Sequence, residues 1–452
     1  MINITIQEIK EILDVNSYNI TNLKDKIERV SINSLDIKHY TLFVPIKGKN
    51  VDPHIFIEKV VEEKSNYALT EREDLIKIPN TLLVKDTINA LQEIGRYNRK
   101  KFSGIVIAIT GSNGKTTTKN IIAEILKNKY NIIASYKNEN NYIGLPLNLT
   151  KIKNEHKIGI FEVGISIPGE MEKLASILIP NISIITSIGL AHTLHLKNEE
   201  TIIQEKSKLI EFTSELALIN GDIPTLYNYI QKEYKEKKII KFGENEKNEF
   251  VFKFLNKSTG TLVIILKNKT KDEIFETNFI GIDNRYSLYA AISTLLILGL
   301  SINEIKTYIK NVYPVEGRLS YFYINDNLII DDSYNANYNS IINLIKTVDT
   351  IRGYNNKYII LGEMLELGEK EEELHKKLVN NIKEYKKINF ILKGEIYKKL
   401  TNNSNNIKIL NTNEEIINEI NNILKLKNNI IAFKGSHATE IYKIVNTIKE
   451  RI

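Results

Sequence analysis

Apolar residues in this chain fall into short unbroken runs separated by stretches with helical spacing. The run at 104–109 reads as a buried strand. Beyond a glycine turn, Ile121, Ile122, Ile125 and Leu126 keep the spacing of one helix face. Further runs at 158–163, 182–187 and 216–219 predict strands with helices between them. Such alternation favours a parallel sheet covered by helices. Residues 250–267 predict a hairpin turning at Ser258-Thr-Gly260, and 285–299 predict a buried helix. From about residue 313 a second series begins, with strands expected within 321–330, 358–361, 390–392 and 430–433. Before about residue 102 the pattern is weaker, with a short strand at 41–46 and a helix at 55–64. The expected fold is α/β in three domains, at 1–102, 103–312 and 313–452.

Composition narrows the class. The chain has 452 residues, 42% hydrophobic and 26% charged, as in globular proteins. No apolar run approaches the roughly 18 residues of a membrane span. The N-terminus alternates polar and apolar residues and lacks a signal-peptide core. With no cysteine, thiolate catalysis and zinc–thiolate sites are excluded, and the cytoplasm is the expected location. The net charge of +7 is spread over an Ile-, Lys- and Asn-rich chain. The lysine run at 232–238 is interleaved with acids and predicts a solvated helix face. No cluster of arginines and aromatics suggests a nucleic-acid partner. A monomer is expected.

The strand at 104–109 leads into Gly111-Ser112-Asn113-Gly114-Lys115-Thr116-Thr117. Strand, glycine loop, Lys-Thr and helix build a phosphate cradle, in which backbone N–H groups and a helix N-terminus face the anion. Lys115 is placed to reach the outer phosphates and the Thr116 hydroxyl to take magnesium. Ile109 stands where the common G-x-x-x-x-G-K-[ST] pattern has its first glycine, so the motif is the tighter T-G-x-x-G-K-T-T. The central domain is thus expected to be of the mononucleotide-binding (P-loop) type. Glu162, at the end of the next strand, is a candidate magnesium ligand or water-positioning group. His192, following a third strand on the same rim, is a candidate metal ligand. Asn140 and Asn141, before Gly144 and Pro146, form a loop with amides available for binding. In the third region Arg318, 330–337, 361–368 and 433–437 place small and polar residues at strand ends, where an open α/β sheet has its crevice.

The order T-G-S-N-G-K-T-T, N-N-x-I-G-x-P, E-V-G, A-H, Lys206, G-R, D-D-S-Y-N-A-N, L-G-E-M-L-E-L-G and K-G-S resembles the Mur ligases of peptidoglycan synthesis, over nearly the whole chain. Within that family, D-D-S-Y-N-A-N and L-G-E-M-L-E-L-G resemble the branch that adds D-alanyl-D-alanine. The resemblance implies an N-terminal uridine-binding domain, a central ATP-binding domain and a C-terminal Rossmann-like domain for the incoming dipeptide. It implies that ATP phosphorylates the terminal carboxylate of a UDP-N-acetylmuramoyl-tripeptide, and that the amine of D-Ala-D-Ala attacks the acyl phosphate. Lys115 and Arg318 would then hold the phosphates. Thr116 and Glu162 would hold one magnesium ion and His192 a second. Lys206, fourteen residues after His192, would be a carbamylated lysine beside the metals. Asn284 would contact adenine and Asp332 the ribose. Asn335, Asn337 and Lys434 would meet the dipeptide, and Ser34, Lys47, Asp52, His54, Asn140 and Asn141 the UDP substrate.

Several positions depart from the family pattern. Lys208 replaces an acid after Lys206, Asp283 a histidine before Asn284, Tyr338 a proline after Asn337, and His437 an arginine after K-G-S. In the N-terminal region D-S-R becomes Asn33-Ser34-Leu35 and D-G-H becomes Asp52-Pro53-His54. A sister ligase adding lysine or diaminopimelate would carry D-N-P-R, which is absent. Folate polyglutamation enzymes share the two later domains but start close to the phosphate loop, whereas about 100 residues precede it here. A non-catalytic nucleotide-binding regulator would have no need of the set Lys115, Glu162, His192 and Lys206.

Overall fold

A computed structural model describes residues 4–450 apart from 64, 137, 190–197, 269 and 366. Three principal sheets follow one another along the chain. The first has five short strands, ordered Tyr18–Asn19, Thr81–Leu83, Tyr67–Thr70, Thr41–Phe43 and Arg29–Ser31. Here the helix expected at 55–64 is a 3₁₀ turn, Pro53–Phe56, running into a short α-helix, Ile57–Val61. The proline presets the opening turn, and the Asp52 side chain caps it.

The second sheet is the scaffold of the site. From one edge its strands are Ile132–Ala134, Ile158–Glu162, Ile105–Thr110, Ile182–Ile185, Leu216–Asn220, Ile239–Gly243 and Phe250–Asn256, all parallel. Two antiparallel strands, Thr261–Leu266 and Glu273–Ile280, complete it. The expected hairpin therefore forms, but as an extension of the central sheet with a third strand. The alternation of Ile105–Thr110 explains its burial on both faces. Ile107 and Ile109 join the helices Lys115–Leu126 and Asn284–Ile297, while Val106 and Ala108 join those at Gly144–Thr150, Glu170–Leu178 and Glu199–Glu211. The helix Asn284–Ile297 is buried along most of its length, as its apolar composition requires. The lysine run at 232–238 is largely solvent-exposed as expected, but only its start is helical. Its helix stops at Glu233, and Lys237 turns back to donate to the carbonyls of Glu211 and Thr213.

The third sheet runs Ser320–Ile324, Asn327–Asp332, Asn429–Lys434, Asn356–Gly362, Asn389–Lys393 and Ile407–Ile409, parallel except for the first strand. Its register sets Asp332 opposite Lys434 at the strand ends. The second and third sheets meet through Asn343 Nδ2 donating to Asp283 Oδ2 at 2.6 Å and Arg352 N donating to Ser258 O at 2.9 Å. Among the described residues no helix is long and apolar enough to cross a membrane.

Candidate active site

The phosphate loop is built by its glycines and braced from behind. Gly111 and Gly114 have φ of 148° and 82°, and a Cβ on Gly111 would lie 2.1 Å from Thr186 Oγ1. Only a residue without a side chain fits there. Ser112 N donates to Ser187 O at 2.9 Å, Asn113 N to Ser187 Oγ at 2.8 Å, and Thr186 Oγ1 to Asn113 O at 2.6 Å. The helix Lys115–Leu126 starts at Gly114 with no side-chain cap, so its first-turn N–H groups stay available to an anion.

Lys115 Nζ donates to Gly111 O at 2.7 Å, folded back over the loop. Burial lowers its pKa to about 8, with Glu162 opposing the shift and Arg318 adding to it. Lys115 is partly exposed to the cleft, yet surrounding protein crowds its ammonium, and the desolvation follows from that crowding. Thr116 Oγ1 donates to Glu162 Oε2 at 3.1 Å, and Asn140 Nδ2 reaches the same oxygen at 3.4 Å. Glu162 is 1% exposed, and Lys119 Nζ stands 3.2 Å from its Oε1. Lys206 is also buried. Burial, reinforced by Lys115, drives its ammonium well below the usual lysine range. By contrast Lys208 is tied to Glu205, Nζ to Oε1 at 2.6 Å.

The third sheet supplies the facing wall. Lys434 pairs with Asp332 across adjacent strands. Burial raises the Asp332 carboxyl despite Lys434, and Asp331 and Asp283 push it further up. The Arg318 guanidinium lies 4.0 Å from the centroid of the Tyr334 ring. Asn284 Nδ2 donates to Ile280 O at 2.8 Å. Asn337 Oδ1 caps the helix Tyr338–Thr350 by accepting from Ser340 N at 2.9 Å, which gives part of this side chain a structural task.

One cavity of about 600 Å³ gathers most of the expected residues. Ser112, Asn113, Gly114, Lys115, Thr116, Thr117, Asn140, Asn141, Glu162 and Lys206 line it from the second-sheet side, and Asn284 lies beside them. Arg318, Asp332, Asn335, Asn337 and Lys434 line it from the third. Gly111 does not line it, though Lys115 bonds its carbonyl, and His192 lies outside the described residues.

Ser34, Lys47, Asp52 and His54 do not reach this cavity. His54 is 2% exposed, and both its ring nitrogens are used within the first sheet's region. Nδ1 meets Asp52 Oδ1 at 2.6 Å, and Nε2 accepts from Glu71 N at 3.2 Å. Burial would raise the Asp52 carboxyl, but the bonds from His54, with Lys47 nearby, bring it below its usual value. His54 thus bonds to Asp52 and to the Glu71 backbone amide. Sequence reasoning passed over Lys119, whose one available signal was its position a helical turn after Lys115. It also gave Tyr334 no role of its own.

A glycine phosphate loop, a buried acid at the neighbouring strand end and a second α/β unit closing the cleft define a phosphate-loop nucleotide-binding protein of three α/β parts. Residues 109–295 match the Mur ligase middle domain, and residues 317–437 match the Mur ligase, glutamate ligase domain. The UDP-N-acetylmuramoyl-tripeptide–D-alanyl-D-alanine ligase of Bacillus subtilis is 30% identical over 386 residues, which are 83% of this chain and 82% of the relative. The ligase of the same description from Buchnera aphidicola subsp. Acyrthosiphon pisum is 30% identical over 459 residues, 100% of this chain and 99% of the relative. A crystal structure of MurF from Acinetobacter baumannii shares the fold, with a TM-score of 0.88 at 24% identity over 99% of each chain. The chain belongs to the Mur ligase family.

Proposed function

We propose that this protein is the ATP-dependent ligase that joins D-alanyl-D-alanine to UDP-N-acetylmuramoyl-tripeptide through an acyl phosphate. One observation carries the reading. The phosphate loop and residues from the two segments resembling the dipeptide-adding branch, Asp332, Tyr334, Asn335, Ala336 and Asn337 from one and Leu365 and Leu367 from the other, line the same cavity. ATP at the loop and an acceptor amine held by the third sheet would therefore meet across one cleft. With the chain divided after residues 102 and 312, the first part would hold the uridine end of the substrate.

Transfer of a phosphoryl group to a carboxylate needs alignment and charge neutralisation more than covalent help from the protein. Lys115, Arg318 and the uncapped N–H groups of the helix Lys115–Leu126 supply fixed positive charge along the phosphates. Asn284 and Asp332 would hold the nucleoside, and Asn335 and Lys434 the incoming dipeptide.

The donor set suits magnesium. Among the described residues no three His, Cys, Asp or Glu side chains form a complete metal cage. Thr116 and Glu162 instead offer a hydroxyl and a carboxylate, hard oxygens that magnesium combines with phosphate oxygens and water. Bound there, the ion would neutralise charge developing on the phosphates. His192 is proposed as ligand to a second ion.

A protonated Lys206 would repel cations. Its desolvated amine favours the neutral form that reacts with carbon dioxide, and the carbamate presents two anionic oxygens. Lys208, already paired with Glu205, is the poorer candidate.

The test is ADP release measured with a panel of UDP-muramoyl peptides and acceptors. Release should require the tripeptide and D-Ala-D-Ala together. A better rate with a UDP-muramoyl-dipeptide and free lysine or diaminopimelate would assign the chain to the sister ligases.

A further inference from the structure

Glu162 is held from four directions. Thr116 and Asn140 donate to Oε2 at 3.1 and 3.4 Å. Ser135 Oγ accepts from the Glu162 backbone N at 3.0 Å. Lys119 Nζ stands 3.2 Å from Oε1 and donates to Ser135 O at 2.8 Å. Thr116, Asn140 and Glu162 line the cavity, whereas Lys119 does not. The Lys119 side chain is 4% exposed and approaches the carboxylate from the protein side.

A buried charge pair of this kind has a directional consequence. The lysine stem comes from the helix Lys115–Leu126, the same helix that opens the phosphate loop. Ser135 anchors the ammonium through its carbonyl and the glutamate through its hydroxyl. The carboxylate therefore has one oxygen turned toward Lys119 and the other toward Thr116 and the cleft. Without the ammonium, Oε1 would lose the cation that faces it, and the carboxylate would be free to rotate away from Thr116.

We propose that Lys119 is a positioning residue that fixes the Glu162 carboxylate for the nucleotide-bound magnesium ion. The proposal rests on Glu162 being a magnesium ligand. Lys119 touches neither substrate nor metal and acts only by orienting the glutamate.

The test reads metal affinity rather than turnover. Magnesium is titrated into the full-length protein with a fluorescent ADP analogue, and its half-saturating concentration for nucleotide binding is measured. Lys119→Met should raise that concentration by about tenfold or more, in the range found when residues behind a metal ligand are removed. Lys119→Arg, which keeps the charge, should raise it less. Glu162→Gln should raise it too, and adding Lys119→Met to Glu162→Gln should then change it by less than about twofold, since coupled residues are not additive. The double variant removes both charges and stays informative if Lys119→Met alone does not fold. An unchanged magnesium requirement in Lys119→Met, beside a shifted one in Glu162→Gln, would make Lys119 a structural residue and overturn the proposal. A further shift in the double variant would show that Lys119 acts independently of Glu162, which also overturns it. No shift in Glu162→Gln would remove the glutamate from the metal site, and the proposal with it.

Discussion

Nucleotide binding should draw a proton onto Lys115. Without nucleotide, burial holds its pKa at about 8, against 10.5 for a free lysine. The neutral fraction is then about 0.5 at pH 8 and about 0.1 at pH 7. Phosphate oxygens within reach of the ammonium favour its charged form and raise the pKa again. Binding of magnesium–ADP should therefore take up close to half a proton at pH 8 and about a tenth at pH 7. Calorimetric titration in buffers of different ionisation enthalpy measures this uptake directly, as the slope of observed enthalpy against buffer enthalpy. Lys115→Met should lose the pH-dependent part of the slope. A slope near zero at pH 8 in the wild-type protein would refute the picture of a desolvated Lys115 that meets the phosphates. The same shift sets the sign of a stability effect. Between about pH 8 and 10.5 the unfolded chain carries more protons on Lys115 than the folded chain, so this group makes the nucleotide-free protein gain stability as pH rises through that window.

Other outcomes follow from the same geometry. Glu162→Gln should lower turnover by hundreds-fold, the equivalent of about 3–4 kcal/mol of transition-state stabilisation, with ADP still bound through the loop. Near-normal turnover at saturating magnesium would make the residue structural. Lys206→Ala should be nearly inactive and partly rescued by acetate or formate, while Lys208→Ala keeps most activity. The reverse pattern in a rescue assay would move the carbamate to Lys208. His54→Ala should lower the melting temperature, with a loss of about 1–3 kcal/mol from stranding Asp52 and the Glu71 amide. An unchanged melting temperature with weakened UDP-substrate binding would instead make His54 a ligand-contacting residue.

The central strands were legible because unbroken Ile and Val runs bounded by glycine leave few alternatives. The phosphate loop was legible because few chemistries need Gly-Lys-Thr after such a strand. Glu273–Ile280 escaped notice because its alternation is incomplete, and it pairs across a register shift near Thr261. In the N-terminal region strands of two to four residues carry too little periodicity for their ends to be read. Within the site, sequence order named the residues but not their tasks. Asn337 caps a helix, and His54, outside the cavity, bonds Asp52 and the Glu71 amide, which only the folded backbone reveals. Lys119 looks like any helix lysine until Glu162 is brought beside it from a different strand.

The reaction is defined by the pair of substrates joined across the cleft. The most direct measurement supplies the protein with ATP, magnesium, UDP-muramoyl-dipeptide and UDP-muramoyl-tripeptide. D-Ala-D-Ala and free lysine and diaminopimelate compete as acceptors, and the products are identified by mass. The UDP-muramoyl-pentapeptide should be the dominant product, formed from the tripeptide and the intact dipeptide with one ADP released for each amide bond. A dominant product carrying a single added lysine or diaminopimelate would contradict this pairing.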